Sequence, residues 1–384
     1  MTGTSPLRNG YIDVAEDGTV IRTGSVDAVP EGEEYYDGAV VPGFVNAHCH
    51  VELSYMKGLF RKGTGMAGFI DQINELRDTC PREEKLSAIR RAMEDLYAQG
   101  VSAMADISNC ADSFGIKAAS PMYTRTFLEV FGTEPEDCAS VMDGVRRLRE
   151  TAEAEGLDAA PTPHACYTMS PALLSAAGAE ALDAGFLSYH SEESEEEEEM
   201  IRCGSGKMWE NRRRAGMSTP PVTGTSSVQY FIDRLRAVRP APYDAHVLLV
   251  HEVCLDRSGV EAVKAVMNHP FLAVCPLSNL FIHNALPPIG LMRESGIPIC
   301  VGTDSLSSND ALSMVGELFC LQEHFPQVPL GEMLGWACRN GAAFLGNADL
   351  FGTFEPGKKP GVVYIDRLTR DGRLSPESVS HRIL

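Results

Sequence analysis

The middle of the chain alternates between short apolar segments and longer segments that have helical spacing. Strand-like segments begin near residues 101, 122, 157, 184, 245, 270 and 297. Segments with helical spacing occupy residues 81–99, 135–155, 171–182, 226–237, 255–268 and 309–323. Together with the apolar run that begins at Val41 this makes eight strands, and such alternation is typical of parallel α/β proteins. The sequence therefore predicts an α/β fold, a (β/α)8 TIM-type barrel over residues 42–346.

The two ends of the chain have a different pattern. Residues 1–41 contain the strand-like segments YIDV, TVIRTG and EYYDGAVV, separated by Gly, Asp and Pro turn signals. Residues 347–384 contain a turn-rich stretch followed by the short β-like run GVVYID. We expect these N- and C-terminal segments to pair into one small β domain beside the barrel.

The opening strand ends in His48 and His50. Residues two apart in an extended strand lie on the same face, so both imidazoles can reach one metal ion. Imidazole is a good ligand for zinc and iron, but a metal needs more than two protein ligands to be held. The pair therefore predicts a metal site whose other ligands come from elsewhere in the chain.

Other polar side chains fall where the predicted strands end. Strand four ends in His164, strand five in His190, strand six in His251 and strand eight in Asp304. Chemistry in parallel barrels is located at the carboxyl ends of the strands, which meet at one rim. We therefore expect these side chains to lie together with the pair on the opening strand.

Three imidazoles and one carboxylate suit a single zinc or ferrous ion and leave room for a water. The predicted metal ligands are His48, His50, His190 and Asp304. A bound divalent ion lowers the pKa of water towards ~7, so hydroxide becomes available at neutral pH. Asp304 is also predicted to be catalytic, because it could accept a proton from that water.

A second carboxylate is needed to carry protons to a leaving group. Glu193 follows His190 by three residues and can turn back over the pocket, so we predict that it is the proton shuttle. Glu192 remains an alternative, since the conformation of this loop is not fixed by spacing. His251 is predicted to be catalytic by polarising the reacting carbon's substituent or steadying the attacking water.

Three further residues are predicted to bind substrate. Glu52 could accept hydrogen bonds from a substrate hydroxyl or amine, or could instead pair with Lys57 or Arg61. His164 and Tyr167, in the segment PHACYTMSP, could line the pocket, with packing or strand capping as the alternative for the histidine.

Five segments of the chain, in their order, resemble the amidohydrolase superfamily. They are PGFVNAHCH, HSEE, VLLVHEV, CPLSN and VGTDSLSSND. Within it they are similar to the cytosine-deaminase-like, ATZ/TRZ-type metal-dependent hydrolases. The opening HCHVELSYMKG is also similar to deaminases that act on aminodeoxyfutalosine, an adenine nucleoside. The resemblance implies a barrel with one zinc or iron ion held by the HxH pair, the strand-five His and the strand-eight Asp. It also implies that Glu193 and His251 assist proton transfer, and the absence of a lysine at the end of strand four indicates a single ion.

We therefore predict a mononuclear metal-dependent hydrolase, a deaminase that replaces an exocyclic amine on an N-heterocycle with oxygen and releases ammonia. Adenine-nucleoside-like substrates are the first expectation, within purines and pyrimidines. Hydrolysis of another C–N or C–Cl bond, in a cyclic amide, a guanidine or a chlorinated heterocycle, is the alternative within enzymes. A non-catalytic, metal-stabilised binding protein is the alternative from another class. Zinc is the expected ion, with iron and manganese as alternatives.

Charge and cysteine content limit the partners. A formal net charge of −20 disfavours nucleic acid and anionic membranes, which attract basic proteins. The 11 cysteines include no CxxC pair, and no apolar run is long enough for a membrane helix, so we expect a cytoplasmic protein with reduced thiols. The expected partner is a small-molecule substrate, and a homo-oligomer is left open.

The glutamate run at 192–199 is expected to be mostly a solvated face. Segment 200–242 is interpreted as a lid or substrate loop, or else as an elaboration of the fold.

Overall fold

The computed structural model describes residues 6–27 and 34–384. Residues 1–5 and 28–33, which belong to the predicted N-terminal part of the small β domain, lie outside the described residues. The strands of the described residues are β1 (Gly10–Val14), β2 (Val20–Ser25), β3 (Ala39–Pro42), β4 (Phe44–Cys49), β5 (Val101–Ser108), β6 (Tyr123–Val130), β7 (Asp158–Pro163), β8 (Phe186–Ser191), β9 (Tyr243–His251), β10 (Met267–Val274), β11 (Ile299–Val301), β12 (Val362–Ile365) and β13 (Ser380–Arg382).

Helices lie between most of the central strands. They are α1 (Gly65–Leu76), α2 (Arg82–Ala98), α3 (Phe114–Ala118), α4 (Cys138–Ala154), α5 (Pro171–Asp183), α6 (Glu195–Cys203), α7 (Gly206–Arg214), α8 (Ser227–Arg236), α9 (Arg257–Val266), α10 (Pro276–His283), α11 (Ile289–Ser295), α12 (Met314–His324), α13 (Leu330–Gly335) and α14 (Gly341–Phe344). Short 3₁₀ turns occupy Val51–Met56, Pro135–Asp137 and Cys166–Thr168, and a π-turn occupies Trp336–Asn340. Each central strand and each helix that the sequence predicts overlaps one of these elements. The helices that the sequence did not predict are α1, α3, α6, α7, α10, α11, α13 and α14.

The central strands form two four-stranded parallel sheets, in the orders β4-β5-β6-β7 and β11-β10-β9-β8. At one seam, His190 N donates to His164 O over 2.9 Å, which joins β8 to the end of β7. At the other seam, Thr303 N donates to His48 O over 3.0 Å, which joins the end of β11 to β4. The carboxyl ends of all eight strands therefore face the same region.

The sheets are covered on both faces, as parallel sheets require. Between them lies a cluster of small and apolar side chains, with Phe127, Leu248 and Phe271 packed against Phe344 of α14. A larger apolar cluster lies between the outer faces of the sheets and the surrounding helices. At ~25 cal/mol per Å² of apolar surface, this burial is the main force that holds the strand ends in place.

Helix α12 begins later than predicted, at Met314 instead of residue 309. Ser313 caps the helix, because its Oγ accepts a hydrogen bond from Gly316 N at 3.2 Å. An N-cap serine satisfies a backbone donor that the first turn leaves free, and so fixes the start of a helix. Residues 305–313 are thereby left to form a loop after Asp304.

The ends of the chain pair with one another. Strand β12 lies between β3 and β13, antiparallel to both, and β1 pairs with β2. Val20 N donates to Lys358 O, and Gly357 N donates to Val20 O, each at 2.9 Å. Gly43 links this sheet to β4, and a Cβ there would lie 2.0 Å from Ser102 Oγ, so only glycine fits.

Among the described residues, no helix is both long enough and apolar enough to cross a membrane.

Candidate active site

His48 and His50 lie at the end of β4, both buried, with their Nε2 atoms 3.1 Å apart. Asp304 Oδ1 lies 3.8 Å from His48 Nε2 and 3.6 Å from His50 Nε2. Gly302 allows this approach, since a Cβ there would lie 2.8 Å from His48 Cβ. His48 and His50 at the end of one strand and Asp304 after the adjacent strand are thus brought together, as predicted for residues at the carboxyl ends of parallel strands.

His190, near the end of β8, completes the group. Its ring centroid lies 4.8 Å from that of His48 and 5.5 Å from that of His50. Burial, together with neighbouring histidines, lowers the pKa values of His48 and His190 well below the usual range. Neutral imidazoles have a free nitrogen lone pair, which is the form that binds a metal.

These side chains fit a metal ion by their donor chemistry. The ligand atoms of His48, His50 and Asp304 all lie within 4.8 Å of one another, and those of His48, His190 and His251 do so as well. His48 Nδ1 is buried and has no hydrogen-bond partner among the described residues. Three imidazoles and a carboxylate placed close together in this way are typical of a zinc or iron site with an open position.

Asp304 is held in an ionised form. Burial would raise its pKa, but His50, His251 and a hydrogen bond from Ser278 outweigh burial and bring the pKa below the usual value. Ser278 Oγ donates to Asp304 Oδ2 at 2.6 Å, and Ser308 Oγ donates to the same atom at 3.0 Å. Both hydroxyls bind Oδ2, so Oδ1 is left facing the histidines.

Glu193 lies between Tyr167 and His251. Tyr167 Oη donates to Glu193 Oε2 at 2.7 Å, and Glu193 Oε1 lies 3.4 Å from His251 Nε2. Burial raises the pKa of Glu193 to about 8, and burial lowers the pKa of His251 to about 4. A carboxyl group whose pKa is near neutrality can both give and accept a proton.

Glu192 points away from this group. Burial and the neighbouring Glu252 raise its pKa to about 10, and its side chain lies against the start of α9, near Gly259. The expectation of a solvated glutamate run is wrong for part of it, because Glu192, Glu193 and Glu197 are buried. Glu197 Oε2 accepts a hydrogen bond from Glu193 N at 2.8 Å, which ties helix α6 to the pocket.

The predicted substrate residues contact neighbouring side chains and backbone groups. His164 stacks on His190, with ring centroids 4.5 Å apart, and its Nδ1 lies 2.7 Å from Thr168 Oγ1. Burial lowers the pKa of His164 to about 3. Glu52 does not pair with Lys57 or Arg61 in the structure. Its carboxylate instead accepts hydrogen bonds from Asn109 N at 2.9 and 3.0 Å, and burial raises its pKa to about 7.

Segment 200–242 is largely ordered into helices α7 and α8, with the end of α6. Asp71 of α1 accepts a hydrogen bond from Asn211, and Ala67 N donates to Glu196 of α6 at 2.9 Å. The segment after β8 thus contacts the segment after β4.

Sequence reasoning missed three residues of the site. Asn279 Nδ2 lies 3.2 Å from His251 Nδ1, and Ser278 Oγ donates a hydrogen bond to Asp304. Glu129, the residue before the last of β6, lies 3.8 Å from His190 Nδ1. The strand-end rule could have found Glu129, because it applies to carboxylates as well as to histidines.

Comparison with known proteins places the chain in a family. The amidohydrolase family model matches residues 39–377. An adenosine deaminase of Helicobacter pylori is 27% identical over 325 residues, covering 81% of this chain and 76% of that protein. A 5-methylthioadenosine/S-adenosylhomocysteine deaminase of Desulforudis audaxviator is 26% identical over 390 residues, covering 93% of this chain and 84% of that protein.

Solved structures show the same fold. The Helicobacter pylori aminofutalosine deaminase in complex with methylthio-coformycin has a TM-score of 0.77 at 23% identity, covering 96% of this chain and 89% of that chain. A zinc-containing atrazine chlorohydrolase variant of Arthrobacter aurescens has a TM-score of 0.70 at 17% identity, covering 96% and 86% of the two chains. The resemblance predicted from the sequence motifs is therefore confirmed, and the chain belongs to the amidohydrolase family.

Proposed function

We propose that this protein is a metal-dependent deaminase that replaces an exocyclic amine of an adenine-nucleoside-like substrate with oxygen. The observation that carries the proposal is the position of Glu193, whose carboxyl group lies 3.4 Å from His251 and beside the histidine group. A purely structural metal site would have no use for a buried proton carrier of this kind. The names of the similar deaminases support the same reaction class.

The proposed metal ligands are His48, His50, His190 and Asp304. One divalent ion fits them, with zinc preferred because two zinc-containing proteins of known structure share the fold. When bound, such an ion supplies Lewis acidity that makes water nucleophilic near neutral pH.

The side chains then divide the proton transfers between them. Asp304 Oδ1 is free of the serine hydroxyls and accepts the proton of the attacking water. Glu193, oriented by Tyr167, gives its proton to the ring nitrogen, then takes the proton of the new hydroxyl group and passes it to the amine, which departs as ammonia. The proton held by Asp304 returns to Glu193 and restores the starting state. His251, held by Asn279 at Nδ1, directs Nε2 towards Glu193 and stabilises the charge that develops on the reacting carbon's substituents.

Substrate contacts are proposed for His164, Tyr167 and Glu52. His164 stacks on His190, so its ring forms the wall next to the metal site. Tyr167 contacts the proposed proton carrier. Glu52 holds the loop at Asn109 and keeps acceptor capacity on Oε1, which accepts one hydrogen bond there.

We also propose that the two parallel sheets close into one (β/α)8 barrel over residues 42–346. The hydrogen bonds at both seams support closure. The pairing of β3 with β12 and β13 supports a small β domain built from residues 1–41 and 347–384. A cytoplasmic location and a homo-oligomeric state stay predictions.

An ammonia-release screen tests the proposed activity. Zinc-loaded and manganese-loaded protein is incubated with adenosine, methylthioadenosine, S-adenosylhomocysteine, free adenine, cytosine and guanine, and with a chlorotriazine. We expect ammonia from an adenine nucleoside, and none from the same protein carrying Glu193→Gln. Chloride release from the triazine would favour the C–Cl alternative that the fold of the atrazine chlorohydrolase suggests. Metal binding without turnover of any compound would favour the non-catalytic alternative.

A further inference from the structure

Glu129 is a buried carboxylate at the site to which no role has been assigned. It lies on β6, one residue before the strand ends, and its side chain is only 5% exposed. Its Oε1 atom lies 3.8 Å from His190 Nδ1 and 3.7 Å from His164 Nε2. One carboxylate oxygen thus faces both a proposed metal ligand and a residue of the pocket wall.

The two oxygens of Glu129 are in different situations. Oε2 accepts a hydrogen bond from Asn109 Nδ2 at 2.9 Å. Oε1 is buried and has no hydrogen-bond partner among the described residues. Leaving a buried acceptor unpaired costs ~1–3 kcal/mol, and more for a charged group, so such an oxygen is expected to have a use.

Asn109 is itself held in place by Glu52. Its backbone N donates to both oxygens of Glu52, at 3.0 and 2.9 Å. Glu52, Asn109 and Glu129 therefore form a chain of hydrogen bonds that runs from the segment after β4 to the end of β6. At the end of this series of hydrogen bonds, Glu129 Oε1 faces His164 and His190.

The Nδ1 side of His190 meets only acceptors in this region. Besides Glu129 Oε1, its Nδ1 lies 3.3 Å from the carbonyl oxygen of His164. An imidazole that faces acceptors at Nδ1 carries its proton there, which leaves the Nε2 lone pair for a metal. Metal-binding histidines commonly donate their second ring N–H to a carboxylate or a carbonyl, and this contact orients the ring and raises its basicity.

We propose that Glu129 is a positioning residue that acts through His190, holding its ring in the orientation and tautomer that bind the metal. The inference rests on the proposed function, since it requires a metal at the four ligands. Asn109 and Glu52 act one and two contacts further out, by fixing the carboxylate of Glu129. The alternative use of the carboxylate is direct ligation of a second ion, because ligand atoms of His50, Glu129 and His190 lie within 4.8 Å of one another.

The test is metal affinity, measured on the full chain by competition of zinc between the protein and a chromophoric chelator. Glu129→Gln keeps the size of the side chain and its contact with Asn109 but removes the charge. We expect its zinc dissociation constant to rise by roughly 10–100-fold, the range found for such supporting contacts. We also expect the absorption spectrum of cobalt-loaded Glu129→Gln to differ from that of wild type, which a loss of stability alone would not produce.

Glu317→Gln is the matched control. Glu317 is also buried and also accepts a hydrogen bond from an asparagine, Asn309, at 2.7 Å, but it makes no hydrogen bond or ion pair with a proposed metal ligand. Its zinc affinity should stay within twofold of wild type. Asn109→Ala gives a second variant in case Glu129→Gln does not fold, and should weaken zinc binding in the same direction.

Three results would overturn the inference. Unchanged zinc affinity and an unchanged cobalt spectrum in Glu129→Gln would show that Glu129 does not support His190. An equal loss of affinity in Glu317→Gln would show a general effect of replacing a buried carboxyl group. A fall from two bound ions to one would show that Glu129 is a ligand of a second ion. Wild-type protein that binds no zinc would instead contradict the proposed metal site, so the two failures are distinct.

Discussion

Glu193→Gln is the change that most directly tests the proposed chemistry. Glutamine has the same shape as glutamate, so the hydrogen bond from Tyr167, 2.7 Å long in the wild type, is retained by the amide oxygen. The amide cannot give or accept a proton, however. General acid–base catalysis contributes about 10²–10⁴-fold, so we expect kcat to fall by that factor, which corresponds to roughly 3–5 kcal/mol in the barrier.

The assay is ammonia release under saturating substrate, with the metal content of each protein measured in parallel. Metal content should be unchanged, because Glu193 is not among the four proposed ligands. Glu192→Gln is the control, since this neighbouring carboxylate is also buried but lies near Gly259, away from His251. It should keep kcat within a few-fold of wild type. If Glu193→Gln turns over normally, or if Glu192→Gln loses as much activity, the assignment of the proton carrier is wrong.

The remaining predictions concern the metal, the fold and pH. His50→Ala removes a ligand whose Nε2 lies 3.1 Å from that of His48, so metal analysis should find most of the ion lost, and full occupancy would contradict the ligand set. Gly302→Ala places a Cβ 2.8 Å from His48 Cβ and should lower the free energy of unfolding in urea by ~1–3 kcal/mol. Gly290→Ala, where a Cβ meets nothing within 4 Å, should not lower it. Burial raises the pKa of Glu252 from 4.5 to about 8, so the wild-type fold should lose stability as the pH rises between these values. Glu252→Gln should flatten that slope by up to ~1.4 kcal/mol per pH unit, and an unchanged slope would contradict this source of the pH dependence.

Much of the site follows from two simple rules applied to the sequence. Alternation along an extended strand places His48 and His50 on one face, and the common rim of parallel strands adds His190 and Asp304. These rules depend on backbone geometry alone, which is why they work without knowledge of the packing. Apolar periodicity locates the eight central strands and six of the fourteen helices of the described residues, because it reflects which face of an element is buried.

The sequence does not predict contacts that depend on loop conformation. Glu52 follows the second histidine by two residues, yet its partner is Asn109, 57 residues further on. Glu197 belongs to a run of like charges, and such runs are usually solvated, but it turns inward to bind Glu193 N. Sequence spacing contains no information on such long-range partners. The strand-end rule locates Glu129 at the rim, but the role proposed for it depends on its contacts with Asn109 and His190.

The conformations at the strand ends explain why spacing cannot choose between Glu192 and Glu193. Strict alternation beyond His190 would put Glu192 on the same face as the histidine. Glu192 instead has a φ of 47°, and His251 and Asp304, at the ends of neighbouring strands, have φ values of 80° and 55°. Left-handed conformations of non-glycine residues cost about 1–3 kcal/mol each and are retained where surrounding structure requires them. The left-handed conformation of Glu192 ends the alternation of side chains one residue after β8. It turns Glu193, not Glu192, towards His251. The strained turn at Glu192 is therefore part of what positions Glu193, the proposed proton carrier.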